Sequence, residues 1–117
     1  MKILMILNDP PYGTERVYNG LRLATKLLTN HEGTDLTVFL MGDAASSAKT
    51  GQKTPNGYYN VERMLSNVVR MGAAVLVCGT CMDVRGLVAD EFIAGARRSS
   101  MDELTELTVS ADKVLVF

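Results

Sequence analysis

In the stretch AAVLVCGTC, residues 73–81, a short apolar run ends directly in both cysteines of the chain. Similar apolar runs occupy residues 2–7 and 35–41, and amphipathic segments separate the three runs. Short continuous runs of this kind are typical of parallel strands that are buried on both faces of a sheet. The pattern therefore predicts an α/β fold in which helices cover both faces of a parallel sheet.

Working outward from residues 73–78, the sequence predicts the other elements of this fold. Further strands are expected over residues 2–7, 35–41 and 114–117, and helices over residues 14–30, 58–71 and from residue 101, with a helical turn around 87–93. Right-handed crossovers would join them into a flavodoxin-like three-layer sandwich with a mostly parallel sheet of four or five strands. Residues 42–57 form the longest irregular stretch, which we interpret as a lid or a subunit contact with one short helix after Asp43.

Composition and length limit the class of protein. The chain has 117 residues, of which 47% are hydrophobic and 21% are charged, and this composition predicts a single domain over residues 1–117. A domain of this size buries enough surface to fold without a disulfide. Both cysteines are therefore available for chemistry.

Charge and hydropathy exclude two classes of partner. The formal net charge is −1 with a pI near 5.8, and no basic run with interleaved aromatics is present, so we expect no nucleic-acid partner. No apolar stretch approaches the roughly 20 residues that cross a bilayer, and the N-terminal run is too short for a signal peptide. We expect no membrane partner and a cytoplasmic location, where thiols stay reduced.

Cys78 is the predicted nucleophile, because it ends a strand where a helix is expected to begin. A helix start and a nearby cation such as Arg85 can lower the pKa of a thiol from about 8.5 to roughly 3.5–7.5. We assign Arg85 either to stabilising the Cys78 thiolate or to holding the loop. The alternative for Cys78 is a buried packing residue.

The loop after the first strand supplies the other candidate site residues. In a flavodoxin-like strand order, the loops after strands one and three lie side by side at the switch point. We therefore expect residues 10–14 to face Cys78 and predict that Tyr12, Gly13, Thr14 and Gly79 bind substrate. Tyr12 could instead be a surface aromatic residue at an interface.

Four sequence features in this order and spacing resemble the DsrE/DsrF-like family over nearly the whole chain. They are Pro11-Tyr12-Gly13-Thr14 after the first strand, a cysteine at the end of the third strand, Arg85-Gly86 shortly beyond it, and a C-terminal Asp112-Lys113-Val114 strand. The resemblance implies a flavodoxin-like domain that assembles as a homotrimer or homohexamer. It also implies a sulfur carrier that holds a persulfide on Cys78 and passes it from a donor protein to an acceptor thiol, with no cofactor and no metal.

Cys81 departs from the pattern of the sulfur carriers and keeps other functions open. It could resolve a persulfide by forming a disulfide with Cys78, or it could be a packed apolar group. A Cys-x-x-Cys thiol-disulfide redox protein and a non-catalytic oligomeric binding module are the alternatives. A structural zinc ion needs four ligands and would require residues from another subunit, and no phosphate-binding glycine loop is present.

Overall fold

A parallel sheet organises the computed structural model, which describes residues 1–56 and 58–117. Its strands are β1 (Lys2–Leu7), β2 (Asp35–Leu40), β3 (Ala74–Cys78), β4 (Ala96–Ser99) and β5 (Lys113–Val116). They lie in the order β4-β3-β2-β1-β5, and each neighbouring pair runs parallel. The predicted three-layer α/β class with a parallel sheet of four or five strands is confirmed.

Helices connect the strands and cover both faces of the sheet. They are α1 (Arg16–Asn30), α2 (Val61–Arg70), α3 (Gly79–Val84) and α4 (Met101–Ser110), with 3-10 turns at Gly42–Ala48 and Ala89–Glu91. The first of these turns is the short helix predicted after Asp43, whereas Gly57, where the predicted irregular stretch ends, lies outside the described residues. Within the part of the chain that the structure describes, no helix has both the length and the hydropathy of a membrane span.

The order of the strands differs from the expected one. β2 pairs with β1 on one side and with β3 on the other, so β1 and β3 are not neighbours. The chain steps in one direction from β1 to β4, and β5 alone returns to the other side of β1. The prediction that the loops after β1 and β3 lie side by side is therefore wrong.

The two faces of the sheet are covered unequally. One face carries the larger core, to which α1 contributes Val17 and Leu21 and α2 contributes Leu65 and Val68. The other face carries a smaller cluster of buried residues, Leu4, Phe39, Leu76, Cys78 and Leu104, the last of which belongs to α4. Cys78 therefore lies on the face that α4 covers.

The edge strand β4 escaped prediction because its sequence, Ala-Arg-Arg-Ser, contains no apolar run. It pairs along β3, and Ser99 lies opposite Cys78 in the register. Glu103 ties α4 to this strand, since its carboxylate forms a 2.6 Å ion pair with Arg97 and accepts a hydrogen bond from Ser99. Its backbone N–H is capped by Ser100 Oγ at 3.2 Å, which the Ser-x-x-Glu spacing of Ser100 and Glu103 at the start of the predicted helix indicates.

Acid should remove the contribution of Glu103 to stability. The Arg97 guanidinium and the Ser99 hydroxyl lower the pKa of Glu103 to about 2, against roughly 4.3 in an unfolded chain. The stabilisation is therefore present above about pH 4.3 and is lost as the pH falls toward the folded-state pKa. We expect Glu103→Gln to lower the free energy of unfolding by about 0.5–1 kcal/mol at neutral pH, because the pair is partly exposed.

Urea denaturation of both proteins across this acid range measures the effect. The two free energies of unfolding should converge as the pH falls, and a Glu106→Gln control on the same helix should change little. A gap between wild type and Glu103→Gln that stays constant down to the lowest pH would contradict this account of the β4–α4 junction.

Candidate functional site

β3 passes into α3 at Cys78 with no loop between them. Cys78 is the last residue of β3 and the N-cap of α3, and its Sγ accepts a hydrogen bond from the Cys81 backbone N–H at 3.4 Å. An N-cap side chain folds back over the first helical turn, where the residue three positions later also lies. The junction therefore places the side chains of Cys78 and Cys81 beside each other.

The two thiols are in direct contact. Cys81 Sγ donates a hydrogen bond to Cys78 Sγ at 2.6 Å, and both cysteines are free. Thr80 Oγ1 lies 3.4 Å from Cys78 Sγ, and the Gly42 N–H donates to Cys81 Sγ at 3.2 Å. The predicted pair of catalytic cysteines is thus brought together by α3 and the neighbouring 3-10 turn.

The environment separates the pKa values of these thiols. Burial opposes ionisation of Cys78, but hydrogen bonds from Cys81 and Thr80, through side chains and backbone, outweigh it and lower the pKa of Cys78. Burial raises the pKa of Cys81, and its hydrogen bond to Cys78 raises it further, although the Gly42 N–H acts in the opposite direction. Cys78 is therefore the more acidic thiol of the pair.

Arg85 contacts the loop rather than the Cys78 sulfur. Its Nε and Nη2 donate to Asp43 Oδ1 at 3.2 and 2.8 Å, and its Nη1 donates to the Cys81 carbonyl at 3.0 Å. These bonds hold the Gly42–Ala48 turn against α3, and that turn supplies the Gly42 N–H to Cys81. Of the two roles that the sequence left open for Arg85, these contacts correspond to holding the loop.

Arg98 is the cation beside Cys78, and the sequence analysis missed it. Its Nη1 and Nη2 donate to the Asp83 carboxylate at 2.7 and 3.0 Å, which spans β4 and α3. Its guanidinium lies against Gly79, where an added Cβ would stand 2.8 Å from Arg98 Cζ. The hydrogen bonds to Asp83 and, more weakly, the charge of the Cys78 thiolate raise the pKa of Arg98. The sequence could have indicated Arg98 only if β4 had been predicted, because β4 places Ser99, the residue after Arg98, opposite Cys78.

A cavity of about 210 Å³ opens above Cys78. Phe39 and Met101 supply apolar wall, and Arg98 and Ser100 supply polar wall. Cys78 is only 6% exposed, so a reagent reaches its sulfur through this cavity. Gly79, a predicted substrate-binding residue, lines the same space.

The other predicted binding residues hold the loop after β1. The Tyr12 hydroxyl donates to Gln52 Oε1 at 2.6 Å and accepts from the Val61 N–H at 3.1 Å. Thr14 Oγ1 donates to Asp9 Oδ2 at 3.1 Å, and Gly13 adopts a positive φ of 99°. Because β2 separates β1 from β3, these residues do not share the cavity of Cys78. The expectation that residues 10–14 face Cys78 is wrong, and a binding role for Tyr12, Gly13 and Thr14 stays a prediction.

Comparison with known sequences gives full-length matches. The model of the DsrE/DsrF-like family matches residues 1–117. The Escherichia coli protein YchN is 40% identical over 116 residues, which cover 99% of this chain and 98% of YchN. An uncharacterised protein of Methanocaldococcus jannaschii is 36% identical over 117 residues and is covered, like this chain, at 100%.

Solved structures share the fold. The crystal structure of Escherichia coli YchN matches with a TM-score of 0.94 at 40% identity, over 99% of this chain and 98% of that one. A protein of unknown function from Methanobacterium thermoautotrophicum matches with a TM-score of 0.78 at 12% identity, over 99% of this chain and 97% of that one. The second likeness concerns the fold alone.

The pH dependence of Cys78 alkylation tests the hydrogen bond from Cys81. Only the thiolate reacts, so the rate rises with pH through the pKa of Cys78, which the structure holds below the ordinary value of a thiol. Cys81→Ala removes one donor and should move the inflection to higher pH, whereas Cys81→Ser retains a hydroxyl donor and should move it less. The rate of iodoacetamide labelling at Cys78, read by peptide mass, measures the inflection. An unchanged inflection in Cys81→Ala would show that this bond does not stabilise the thiolate.

Proposed function

The chain belongs to the DsrE/DsrF-like family, and we propose that residues 1–117 act as one domain that carries sulfane sulfur as a persulfide on Cys78. The DsrE/DsrF-like family is generally linked to sulfur relay. The proposal of a persulfide on Cys78 rests on the hydrogen bonds that Cys81 and Thr80 make to the Cys78 sulfur, and on the cavity that Cys78 lines. Such a sulfur is both nucleophilic and accessible to a small group.

The proposed chemistry is thiol exchange. The Cys78 thiolate attacks the outer sulfur of a donor persulfide R–S–SH, forming Cys78–S–SH as the donor S–S bond breaks and R–S⁻ leaves. An acceptor thiolate then attacks the same outer sulfur, and the Cys78 thiolate is regenerated as the leaving group. No electrons are gained or lost overall, so neither step needs a redox cofactor.

The contact between the two sulfurs favours one alternative function, a thiol-disulfide redox pair. In that case the Cys81 thiolate would attack the inner sulfur of Cys78–S–SH, forming a Cys78–Cys81 disulfide and releasing hydrosulfide. Attack requires ionised Cys81, and burial of this thiol raises its pKa. In the carrier that we propose, Cys81 instead acts as a hydrogen-bond donor to Cys78.

We extend the proposal to a homo-oligomer, a trimer or a hexamer, in the cytoplasm. Apolar side chains stand exposed on α4 and on the edge strand β5, where Val109 is 81% and Val116 65% exposed. Exposed apolar side chains lose contact with water when copies of a chain associate. A reducing compartment suits a function that needs free thiols. A monomer mass in light scattering would refute the assembly.

Intact mass after incubation with a persulfide donor tests the function. We expect the reduced wild type and the Cys81→Ser variant to gain the mass of one sulfur atom, and Cys78→Ser to gain none. Cys81→Ser is the matched control, since it changes a thiol of the same turn without removing the proposed nucleophile.

Two results would contradict the carrier. If the wild type loses two hydrogens and neither single variant does, the Cys78–Cys81 redox pair becomes the better account. If no protein changes mass, Cys78 is a packing residue, and a non-catalytic oligomeric binding module is the remaining function.

A further inference from the structure

The cavity above Cys78 limits the size of what can react there. Its volume of about 210 Å³ is somewhat larger than an engineered apolar cavity of about 150 Å³ that accommodates benzene. A folded donor protein cannot enter such a space. The reacting group is therefore a small molecule or the end of an extended segment.

The wall of the cavity carries a cation. Arg98 is the charged side chain that lines it, whereas its partner Asp83 stands outside the lining. The ion pair is about half exposed, with 50% of the Arg98 and 58% of the Asp83 side chain accessible, and exposed pairs are weakly held. Asp83 therefore leaves part of the Arg98 charge to act on the cavity.

A hydroxyl lies on the same wall. Ser100 Oγ accepts a hydrogen bond from the Glu103 N–H at 3.2 Å, and its hydroxyl can still donate to a ligand oxygen. A guanidinium and a hydroxyl together suit an oxyanion, such as a carboxylate or a sulfonate. The apolar sides of Phe39 and Met101 complete a site for a small anion with an apolar or sulfur-containing body.

We propose that the Cys78 cavity takes a small sulfane-sulfur donor whose non-transferred end is anionic, and that Arg98 selects it. This inference rests on the proposed function for its chemistry. When the Cys78 thiolate takes the outer sulfur of R–S–SH, the negative charge moves from Cys78 to the departing R–S⁻. Arg98 lines the cavity in which the charge lies before and after the transfer. A side chain at position 79 would displace the guanidinium, which is the flexible end of Arg98.

Competing reagents of different charge test the site. Iodoacetate and iodoacetamide alkylate the same Cys78 thiolate, so the ratio of their rate constants cancels the pKa of Cys78 and leaves the effect of reagent charge. We expect Arg98→Gln to lower the iodoacetate-to-iodoacetamide ratio at Cys78 about fivefold or more at low ionic strength. Label on Cys78 is read by peptide mass, separately from label on Cys81.

Two further variants test the anion site even if Arg98→Gln fails to fold. Gly79→Ala retains every charge but displaces the guanidinium, and it should also lower the ratio. Asp83→Asn removes the carboxylate that competes for Arg98, and it should raise the ratio. Arg70→Gln, which removes an exposed cation at the end of α2, is the control for net charge and should leave the ratio near the wild-type value.

The outcomes separate this inference from the proposed function. Equal ratios in wild type, Arg98→Gln and Asp83→Asn, or equal losses in Arg98→Gln and Arg70→Gln, would overturn the anion site even if Cys78 takes up sulfur. A lowered ratio in Arg98→Gln and Gly79→Ala with a raised ratio in Asp83→Asn would establish the site, even in a protein that gains no sulfur from a persulfide donor.

Discussion

The direct passage of β3 into α3 at Cys78 is the constraint on which the site depends. The Cys78 backbone belongs to the sheet, while its sulfur accepts from the Cys81 N–H and caps the helix, so the sulfur has little freedom to turn. The same turn brings Cys81 beside it, and Arg85 and Gly42 fix Cys81 from the other side. Two neighbouring strands then complete the surroundings, because β4 carries Arg98 over Gly79 and β2 contributes Phe39 to the cavity.

The two thiols are unequal because their surroundings differ. Cys78 accepts hydrogen bonds from Cys81 and Thr80, which lower its pKa, while burial raises the pKa of Cys81. A carrier needs one stable nucleophile and a partner that keeps it ionised. Arg98 lines the cavity of this nucleophile, where we propose that it selects an anionic donor.

Sequence reasoning succeeded where a strong local pattern exists and failed where tertiary pairing decides. The apolar runs of β1, β2 and β3 and the capping of α4 by Ser100 were readable because each pattern is local. β4 was not, since two arginines replace the apolar run at an exposed sheet edge, and Arg98 was missed with it. α3 has six residues, too few for a periodic pattern, and was expected only as the start of a helix after Cys78. The loop of Tyr12 was misplaced because strand order is a property of the whole sheet.

The central claim is that sulfur rests on Cys78 as a persulfide that Cys81 does not displace. The most direct measurement is the recovery of that sulfur by cyanide, added after a delay to protein that has been loaded and freed of donor. Cyanide takes the outer sulfur as thiocyanate and returns the Cys78 thiolate. The account predicts close to one thiocyanate per loaded chain and a protein restored to its reduced mass. Release of sulfide before cyanide is added, from a chain that has become two hydrogens lighter, would contradict it.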